Sequence, residues 1–265
     1  MLSEASKYVA SLELDRLLAA SFNLASACCL KYLKPNSIVK LNLPMNLCVY
    51  AQASLTVDVV RNVLHVYYYR DYEMLPGFKP EPGWRVVDIG AFIGLYSLRA
   101  AKLVGVEGFV LAVEPLPSTY RALKLNVTAN KLSNVETLCA CVSSSTGLSE
   151  LLVPVSPLNA SLRPDYVEAY GGVHRRVKVR TFSLDTILKK FEPVHLLKLD
   201  VEGVELNVID ESKLLNPRLV KRVVVEVHPP FVKPMDVAEA LERKGYGSIV
   251  HLPEDAFNQA FVYAF

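Results

Sequence analysis

The stretch VVDIGAFIGLYSLRAA, Val86 to Ala101, begins as an apolar strand and ends with the apolar spacing of a helix. Asp88, Gly90 and Gly94 stand where the two meet. Glycine gives the chain the freedom that a tight strand-to-helix turn needs. The first turn of a helix also presents free backbone N–H groups that favour an anion. The stretch therefore predicts a ligand-binding turn at the carboxyl end of a buried strand.

The glycine spacing narrows the choice of ligand. A dinucleotide fingerprint would need glycine at positions 90, 92 and 95, but this chain has Phe92 and Leu95. A pyrophosphate would not reach the backbone there, so a nicotinamide oxidoreductase is disfavoured. The spacing suits a smaller ligand, with an ammonium facing Asp88 and a carboxylate facing the helix amides. An ordinary strand–helix turn without a ligand is the alternative.

Strands and helices alternate on the C-terminal side of this turn. The predicted strands are 85–89, 109–113, 135–142, 195–199, 222–228, 248–252 and 259–265. The predicted helices are 92–104, 118–130, 204–215 and 236–244, with a short helix starting at 183–185. Apolar strands without polar alternation indicate a sheet covered on both faces, and alternating elements indicate parallel pairing. The pattern predicts a doubly wound α/β fold with its ligands beyond the carboxyl ends of the strands.

Composition indicates one large core with a smaller segment before it. The chain has 265 residues, of which 51% are hydrophobic and 21% charged. We predict a boundary near Pro80–Gly83, dividing an α+β appendage, 1–80, from the main domain, 81–265. A helix at 5–34 and strands at 38–43, 48–53 and 63–69 are expected in the appendage. The net charge of +2 gives no strong field for polyanions and does not exclude nucleic acid.

Cysteine spacing and the N-terminal residues indicate a cytoplasmic protein. The five cysteines have neither zinc-site nor disulfide-framework spacing, which predicts reduced thiols and no metal. No secretory signal pattern is present, and the apolar run from Leu17 to Leu30 is too short for a transmembrane segment. Glutamine occurs only twice, which is compatible with a thermophilic source.

A second acidic residue specifies the ligand further. The strand in GFVLAVEP ends at Glu114, where a carboxylate can accept hydrogen bonds from both hydroxyls of a ribose. Together with Asp88 and the two glycines, Glu114 outlines the methionine and ribose ends of S-adenosylmethionine. A helix-capping glutamate before Pro115 is the alternative interpretation.

Three runs in order resemble the methyltransferase domain of the FkbM family. They are Val86–Val135, LLKLDVEGVELNVI at Leu196–Ile209, which carries a Lys-x-Asp-Val-Glu-Gly-x-Glu motif, and VVVEVH at Val223–His228. The resemblance implies a class I methyltransferase fold, mostly parallel with an antiparallel C-terminal strand, and S-adenosylmethionine as cofactor, typically for O-methylation. Family members usually have Asn where this chain has Phe92.

The resemblance and the spacing together give a set of candidate site residues. The cofactor-binding candidates are Asp88, Gly90, Phe92, Gly94, Glu114, Pro115 and Cys141. Asn159-Ala160-Ser161-Leu162 resembles the family's substrate-side Asn-x-x-Ser-Leu region, which suggests a lid. The substrate-side candidates are Asn159, Ser161 and Glu202.

Alternation along two strands gives the catalytic candidates Lys198, Asp200, Glu226 and His228. Lys198 and Asp200 share one side of their strand, and Glu226 and His228 share one side of the next. A lysine in an apolar strand needs a partner, and Glu226 is the expected one. His228 has a suitable ordinary pKa for a general base, and Asp200 is the other candidate. A structural role for Lys198, Glu226 or His228 is the alternative.

These inferences predict methyl transfer to a hydroxyl oxygen of a small-molecule or glycan-type acceptor. An RNA (tRNA or rRNA) methyltransferase is the rival enzyme, although no Asn-Pro-Pro-Tyr-like segment follows the fourth strand. A non-catalytic cofactor-binding scaffold is the alternative of another class. Arg176, Lys178 and Arg180 alternate onto one face of a strand, either as a charged edge or as an anionic-substrate face.

Overall fold

The computed structural model describes residues 34–253 and 259–265. The predicted helix 5–34 lies outside these residues except for its last position. The strands are β1 Ile38–Leu43, β2 Leu47–Gln52, β3 Arg85–Ile89, β4 Phe109–Glu114, β5 Val135–Cys139, β6 Cys141–Ser143, β7 Gly147–Val153, β8 Arg175–Ser183, β9 Leu196–Leu199, β10 Val223–Val227, β11 Ser248–His251 and β12 Ala260–Ala264.

The helices are α1 Thr56–Val63, α2 Leu95–Val104, α3 Pro117–Ala129, α4 Pro164–Ala169, α5 Leu184–Phe191, α6 Glu205–Glu211 and α7 Pro234–Arg243. Within the described ranges, no helix is both long and apolar enough to span a lipid bilayer. α6 is shorter than its predicted span 204–215. Asp185 accepts hydrogen bonds from the backbone N–H groups of Lys213 and Leu214, which draws the chain out of the helix.

The main sheet has the order β11-β12-β10-β9-β3-β4-β5. Neighbouring strands in this sheet pair in parallel, except that β12 runs antiparallel to both β10 and β11. Every residue of β9, β10 and β12 is buried, as the apolar composition of these strands requires when both faces are covered. This is the class I methyltransferase fold, and the predicted antiparallel strand near the C-terminus is confirmed.

One hydrophobic cluster covers each face of the sheet. On one face, Val86 and Leu98 belong to the same cluster as Val59, Tyr67 and Phe78 from the N-terminal segment. The cluster on the other face is built from residues after position 86. Residues 34–80 thus share a core with the main sheet, and this packing brings their side chains to the edge where the parallel strands end.

The strand predicted at 63–69 is wrong. The chain is helical there, with α1 followed by a π-helical segment, Leu64–Tyr69. Valine and tyrosine favour strands, but Val59, Val66 and Tyr67 are buried at a spacing of seven and eight residues, which places them on one helical face. Burial of that face against the core outweighs the local preference.

The predicted strand 135–142 is divided at Ala140. β5 stays in the main sheet, whereas β6 joins a separate sheet of order β6-β8-β7. The basic strand β8 is therefore the middle strand of its sheet, not an edge strand. Arg176 on its exposed face pairs with Glu150 of β7 at 2.8 Å.

Candidate active site

The turn after β3 requires glycine because another loop presses against it. Gly90 has a φ of +79°, and a Cβ there would lie 1.9 Å from the carbonyl oxygen of Asp200. Gly94 caps α2 with a φ of +98°, and a Cβ there would meet the Leu123 side chain at 2.6 Å. Gly90 thus allows the turns after β3 and β9 to touch, and Gly94 allows α2 to pack against α3.

Phe92 lies in the same turn in a left-handed conformation. Its φ is +50°, its side chain is buried, and its backbone N–H donates to Glu114 Oε2 at 2.8 Å. Glycine and asparagine adopt this conformation far more readily than phenylalanine. A glycine or asparagine at this position would therefore be favoured by the backbone alone, independent of any side-chain contact to a ligand.

A pair of substitutions tests the conformation of Phe92. Phe92→Gly and Phe92→Ala both remove the ring, but only glycine relieves the left-handed strain. We expect the glycine variant to be more stable than the alanine variant by about 1 kcal/mol. Chemical denaturation of both variants measures this difference. An alanine variant equal or superior in stability would contradict the turn geometry, since alanine is the more stable residue at ordinary positions.

Glu114 ends β4 at the cleft, as predicted, and is already hydrogen-bonded there. Besides Phe92, it accepts from the Leu116 N–H at 3.0 Å and from Thr119 Oγ1 at 2.6 Å. Burial raises the pKa of Glu114 to about 7, although these donors favour the charged form. A carboxylate has about four acceptor positions. Three are filled by this chain, so one remains for a ligand in the cleft.

Asp88 and Lys198 form a buried ion pair. Asp88 is fully buried, accepts a hydrogen bond from Ser97 Oγ at 2.5 Å, and has Lys198 Nζ 3.1 Å from its Oδ1. Lys198 Nζ also lies 3.0 Å from the Gly90 carbonyl oxygen and 3.3 Å from Asp200 Oδ2. Burial by itself would lower the pKa of Lys198, but the carboxylates outweigh it and hold the pKa above its usual value. The ammonium that faces Asp88 is that of Lys198.

The predicted pair between Lys198 and Glu226 is wrong. Among the described residues, the ion pairs of Lys198 within 4 Å are those with Asp88 and Asp200. The parallel register sets Val224 opposite Lys198, so Glu226 lies two residues further along β10. Glu226 instead accepts a hydrogen bond from Tyr72, a residue of the N-terminal segment.

His228 is buried among carboxylates. Its Nδ1 lies 2.9 Å from Glu205 Oε1, and its Nε2 lies 3.4 Å from Glu202 Oε2 and 3.8 Å from both Asp200 Oδ1 and Glu226 Oε1. Burial opposes the charged ring, but these carboxylates prevail and raise the pKa of His228 well above its usual value. Both ring nitrogens face carboxyl groups and His228 is not among the described residues that line the cleft, so its role as general base stays a prediction.

Burial raises the pKa of two neighbouring carboxyl groups into the neutral range. The pKa of Glu202 is raised to about 8 and that of Glu226 to about 7, in both cases mainly by burial and further by Asp200. Glu205, which orients His228, is the last residue of the Lys-x-Asp-Val-Glu-Gly-x-Glu motif. The motif could have identified Glu205 from the sequence, but nothing in the sequence singled out Tyr72.

The segment predicted as a lid, 159–162, and Tyr166 of α4 both donate hydrogen bonds to the loop after β9. Ser161 Oγ donates to the Glu202 carbonyl oxygen at 2.6 Å, and Tyr166 donates to the Glu202 carboxylate. Glu202 itself has a φ of +54°, so these contacts stabilise an unfavourable backbone conformation. Ser161 lines the cleft, whereas Asn159 ends a short 3-10 turn and is not among the described residues that line it.

A cleft at the carboxyl ends of β3, β4 and β9 is lined by most of the predicted site residues. Its lining includes Gly90, Phe92, Glu114, Pro115, Cys141, Ser161, Lys198, Asp200 and Glu202, and it also includes Asn62 and Tyr72 from the N-terminal segment. Asp88, Gly94, Glu226 and His228 are not among the described lining residues. Burial raises the pKa of the Cys141 thiol to about 12, so Cys141 offers the cleft a neutral thiol.

Comparisons with known proteins found a family model and related sequences. The model of the methyltransferase FkbM domain matches residues 88–247. Methyltransferase sdnD of Sordaria araneosa is 33% identical over 190 residues, covering 61% of this chain and 73% of that protein. Methyltransferase 1 of Beauveria bassiana (strain ARSEF 2860) is 24% identical over 234 residues, covering 82% and 92%.

A solved structure of the same description was also found. Methyltransferase FkbM from Methylobacillus flagellatus KT superposes with a TM-score of 0.48 at 18% identity, covering 80% of this chain and 52% of that one. The family model spans more than half of the chain and includes the turn after β3 and the Lys-x-Asp-Val-Glu-Gly-x-Glu motif. The chain is an enzyme of the FkbM methyltransferase family.

Proposed function

We propose that this enzyme transfers a methyl group from S-adenosylmethionine to a hydroxyl oxygen of a small-molecule or glycan-type acceptor. The observation that carries the proposal is the cleft itself. Glu114, with one open acceptor position, and the carboxylates of Asp200 and Glu202 line the same cleft. A nucleoside and an acceptor hydroxyl could therefore bind side by side.

The residues present fit the cofactor. Glu114 would accept a hydrogen bond from a ribose hydroxyl, and Pro115 and Cys141 would contact the nucleoside beside it. The turn Gly90–Phe92 would face the methionine end. Bound S-adenosylmethionine supplies a methyl group on a positively charged sulfur. Asp88 takes no direct part in our proposal, because it is enclosed behind Lys198.

Asp200 and Glu202 are the acidic side chains of the His228 cluster that reach the cleft. We assign them the acceptor side. Glu202, whose pKa is raised to about 8, orients the acceptor hydroxyl, and Asp200 takes up its proton as the new carbon–oxygen bond forms, since positioning and proton removal are what methyl transfer to oxygen needs. Lys198, which also lines the cleft, pairs with Asp200 at 3.3 Å, and Glu226 lies outside the lining, 3.8 Å from His228.

Two parts of the sequence interpretation stay proposals. We propose that 81–265 is the methyltransferase domain and that the appendage, 1–80, completes the cleft through Asn62 and Tyr72. We also propose a cytoplasmic location, supported by the free thiols of Cys48, Cys139 and Cys141. The thermophilic source remains a prediction from composition.

Calorimetry with three ligands tests the cofactor. We expect binding of S-adenosylmethionine and S-adenosylhomocysteine and none of NAD; the reverse result would refute the proposal. Transfer of a labelled methyl group to hydroxylated small molecules, glycans, tRNA and rRNA then identifies the acceptor class. Salt-sensitive labelling of RNA alone would favour the RNA methyltransferase, and binding without any transfer would favour the scaffold.

The pKa of Glu114 makes cofactor affinity depend on pH. Because the pKa is raised to about 7, Glu114 is neutral below this pH and charged above it. We expect Glu114→Gln to bind S-adenosylhomocysteine about tenfold or more weakly above pH 8, the cost of losing a hydrogen bond to a charged group. As the pH falls through 7, wild-type affinity should fall towards that of the variant.

Calorimetry of both proteins at pH 5.5 and 8.5 measures this effect. The difference between the two proteins isolates Glu114, because titration of the ligand is common to both. Glu150→Gln, an exposed carboxylate outside the cleft, is the matched control and should bind like the wild type. An equal affinity of Glu114→Gln and wild type at high pH would remove Glu114 from the cofactor site.

A further inference from the structure

We propose that Asp200, Glu226 and His228 bind a divalent metal cation. Their ligand atoms, Oδ1, Oε1 and Nε2, all lie within 4.8 Å of one another. Nε2 is 3.8 Å from each of the two oxygens, which is too far for a hydrogen bond. Two ligands of an octahedral cation at about 2.1 Å lie about 3.0 to 4.2 Å apart. A small inward movement of the side chains would complete the coordination.

Each of the three side chains is held by its other polar atom. Lys198 lies 3.3 Å from Asp200 Oδ2, Tyr72 donates to Glu226 Oε2, and Glu205 faces His228 Nδ1 at 2.9 Å. These contacts leave one atom of each side chain directed at the others. A buried carboxylate on one ring nitrogen is the arrangement that directs the other nitrogen of a histidine towards a metal.

An unpartnered atom gives independent support. Asp200 Oδ1 is fully buried and has no hydrogen-bond partner among the described residues. A buried oxygen of this kind costs free energy unless something satisfies it. It lies in the cluster, 3.8 Å from His228 Nε2, so a cation between the two would give this oxygen a partner.

The acidic side chains around His228 also favour a cation, since each of them offers an oxygen ligand or a negative charge once deprotonated. Nε2 is surrounded by the carboxylates of Asp200, Glu202 and Glu226, and a fourth carboxylate, Glu205, faces Nδ1. Lys198 compensates Asp200 from the opposite side. Either a second proton on the ring or a metal ion can occupy the centre, and the test below separates these two occupants.

One nitrogen and two oxygens indicate the class of metal. A mixed site of imidazole and carboxylates suits Mn²⁺, Fe²⁺ or Zn²⁺, whereas metals that require thiolate ligands are disfavoured. The sequence predicted no metal because the cysteines lack zinc-site spacing, but these ligands are not cysteines and come from the ends of β9 and β10. A cation here would also face an acceptor oxygen near Asp200 and Glu202. That role rests on the proposed function, whereas metal binding does not.

Titration of the full chain with Mn²⁺ alone, followed by electron paramagnetic resonance, tests the site. We expect one Mn²⁺ per chain and, in pulsed spectra, coupling to a directly bound imidazole nitrogen. His228→Gln and Asp200→Asn should weaken binding about tenfold or more. Glu150→Gln, which alters an exposed carboxylate remote from the cluster, should bind like the wild type.

The wild-type spectra decide the question even if a variant fails to fold, which circular dichroism would reveal. Absence of stoichiometric binding at millimolar Mn²⁺ would overturn the metal site. A second proton on the His228 ring would then be the occupant of the cluster. Bound Mn²⁺ without nitrogen coupling would overturn the metal site as well. Nitrogen-coupled Mn²⁺ in a protein that binds no S-adenosyl ligand would support the metal site while refuting the proposed function.

Discussion

Lys198→Met is expected to lower the free energy of unfolding by about 3–5 kcal/mol, the cost of leaving a buried charge without its partner. Lys198 is 3% exposed and Asp88 is 0% exposed, so water cannot replace the lost ammonium. The same substitution removes the donor to the Gly90 carbonyl oxygen, at the point where the turns after β3 and β9 touch. Chemical denaturation monitored by circular dichroism measures the loss.

A second substitution identifies the partner. Adding Asp88→Asn removes the unpaired charge, so the double variant should be more stable than Lys198→Met alone. Adding Glu226→Gln should bring no such recovery, because Glu226 is bonded to Tyr72. Lys178→Met changes a lysine on the exposed face of β8 and should shift the stability by less than about 0.5 kcal/mol. Recovery of stability by Glu226→Gln but not by Asp88→Asn would contradict the Asp88 pair and support the Lys198–Glu226 pair predicted from the sequence.

Lys198 pairs with Asp88 and not with Glu226, and the reason lies in what the pattern of a strand can and cannot predict. Alternation predicted that Lys198 and Asp200 share one side of their strand and that Glu226 and His228 share one side of the next, because side chains in a strand point to opposite faces in turn. The members of each pair lie within 4 Å of each other. Alternation does not determine how far one strand is shifted along its neighbour. Here Val224 lies opposite Lys198, and this register depends on packing between separate elements.

The fold itself was largely predictable for the converse reason. Strands such as β3 and β4 are mostly apolar and alternate with helices, so local composition is enough to indicate a sheet covered on both faces. The strand prediction for 63–69 was wrong because valine and tyrosine can also pack on a buried helical face. Only contacts with residues far away in the sequence select between the two structures.

The sequence motifs identified which residues lie near the cleft but not which of them line it. From the sequence, Asp200 was a catalytic candidate and Glu202 a substrate-side candidate, and both line the cleft. Asp88 and His228 were placed at the ligand by the same reasoning, yet Asp88 lies behind Lys198 and His228 behind Asp200. Sequence spacing indicates that residues gather at the end of a strand. It does not indicate which of them reach the surface of the cleft.

Asp200→Asn is expected to fold and to lower kcat by about a hundredfold or more, the scale of a lost acid–base group. Asparagine keeps the shape of Asp200 and removes the charge that faces Lys198 and His228. Affinity for S-adenosylhomocysteine should change little, because the ribose contact is assigned to Glu114 at the end of another strand. Single-turnover transfer and calorimetry on one preparation measure the two effects separately.

Asp210→Asn is the matched control, since it neutralises an aspartate on α6 that is partly exposed and paired with Arg243. It should leave both kcat and cofactor affinity unchanged. If Asp200→Asn retained the wild-type rate with normal cofactor binding, Asp200 would not act on the acceptor. Glu202 would then be the carboxylate to change, because it also lines the cleft and lies 3.4 Å from the same imidazole nitrogen. A loss of cofactor affinity as large as the loss of rate would instead place Asp200 in the cofactor site.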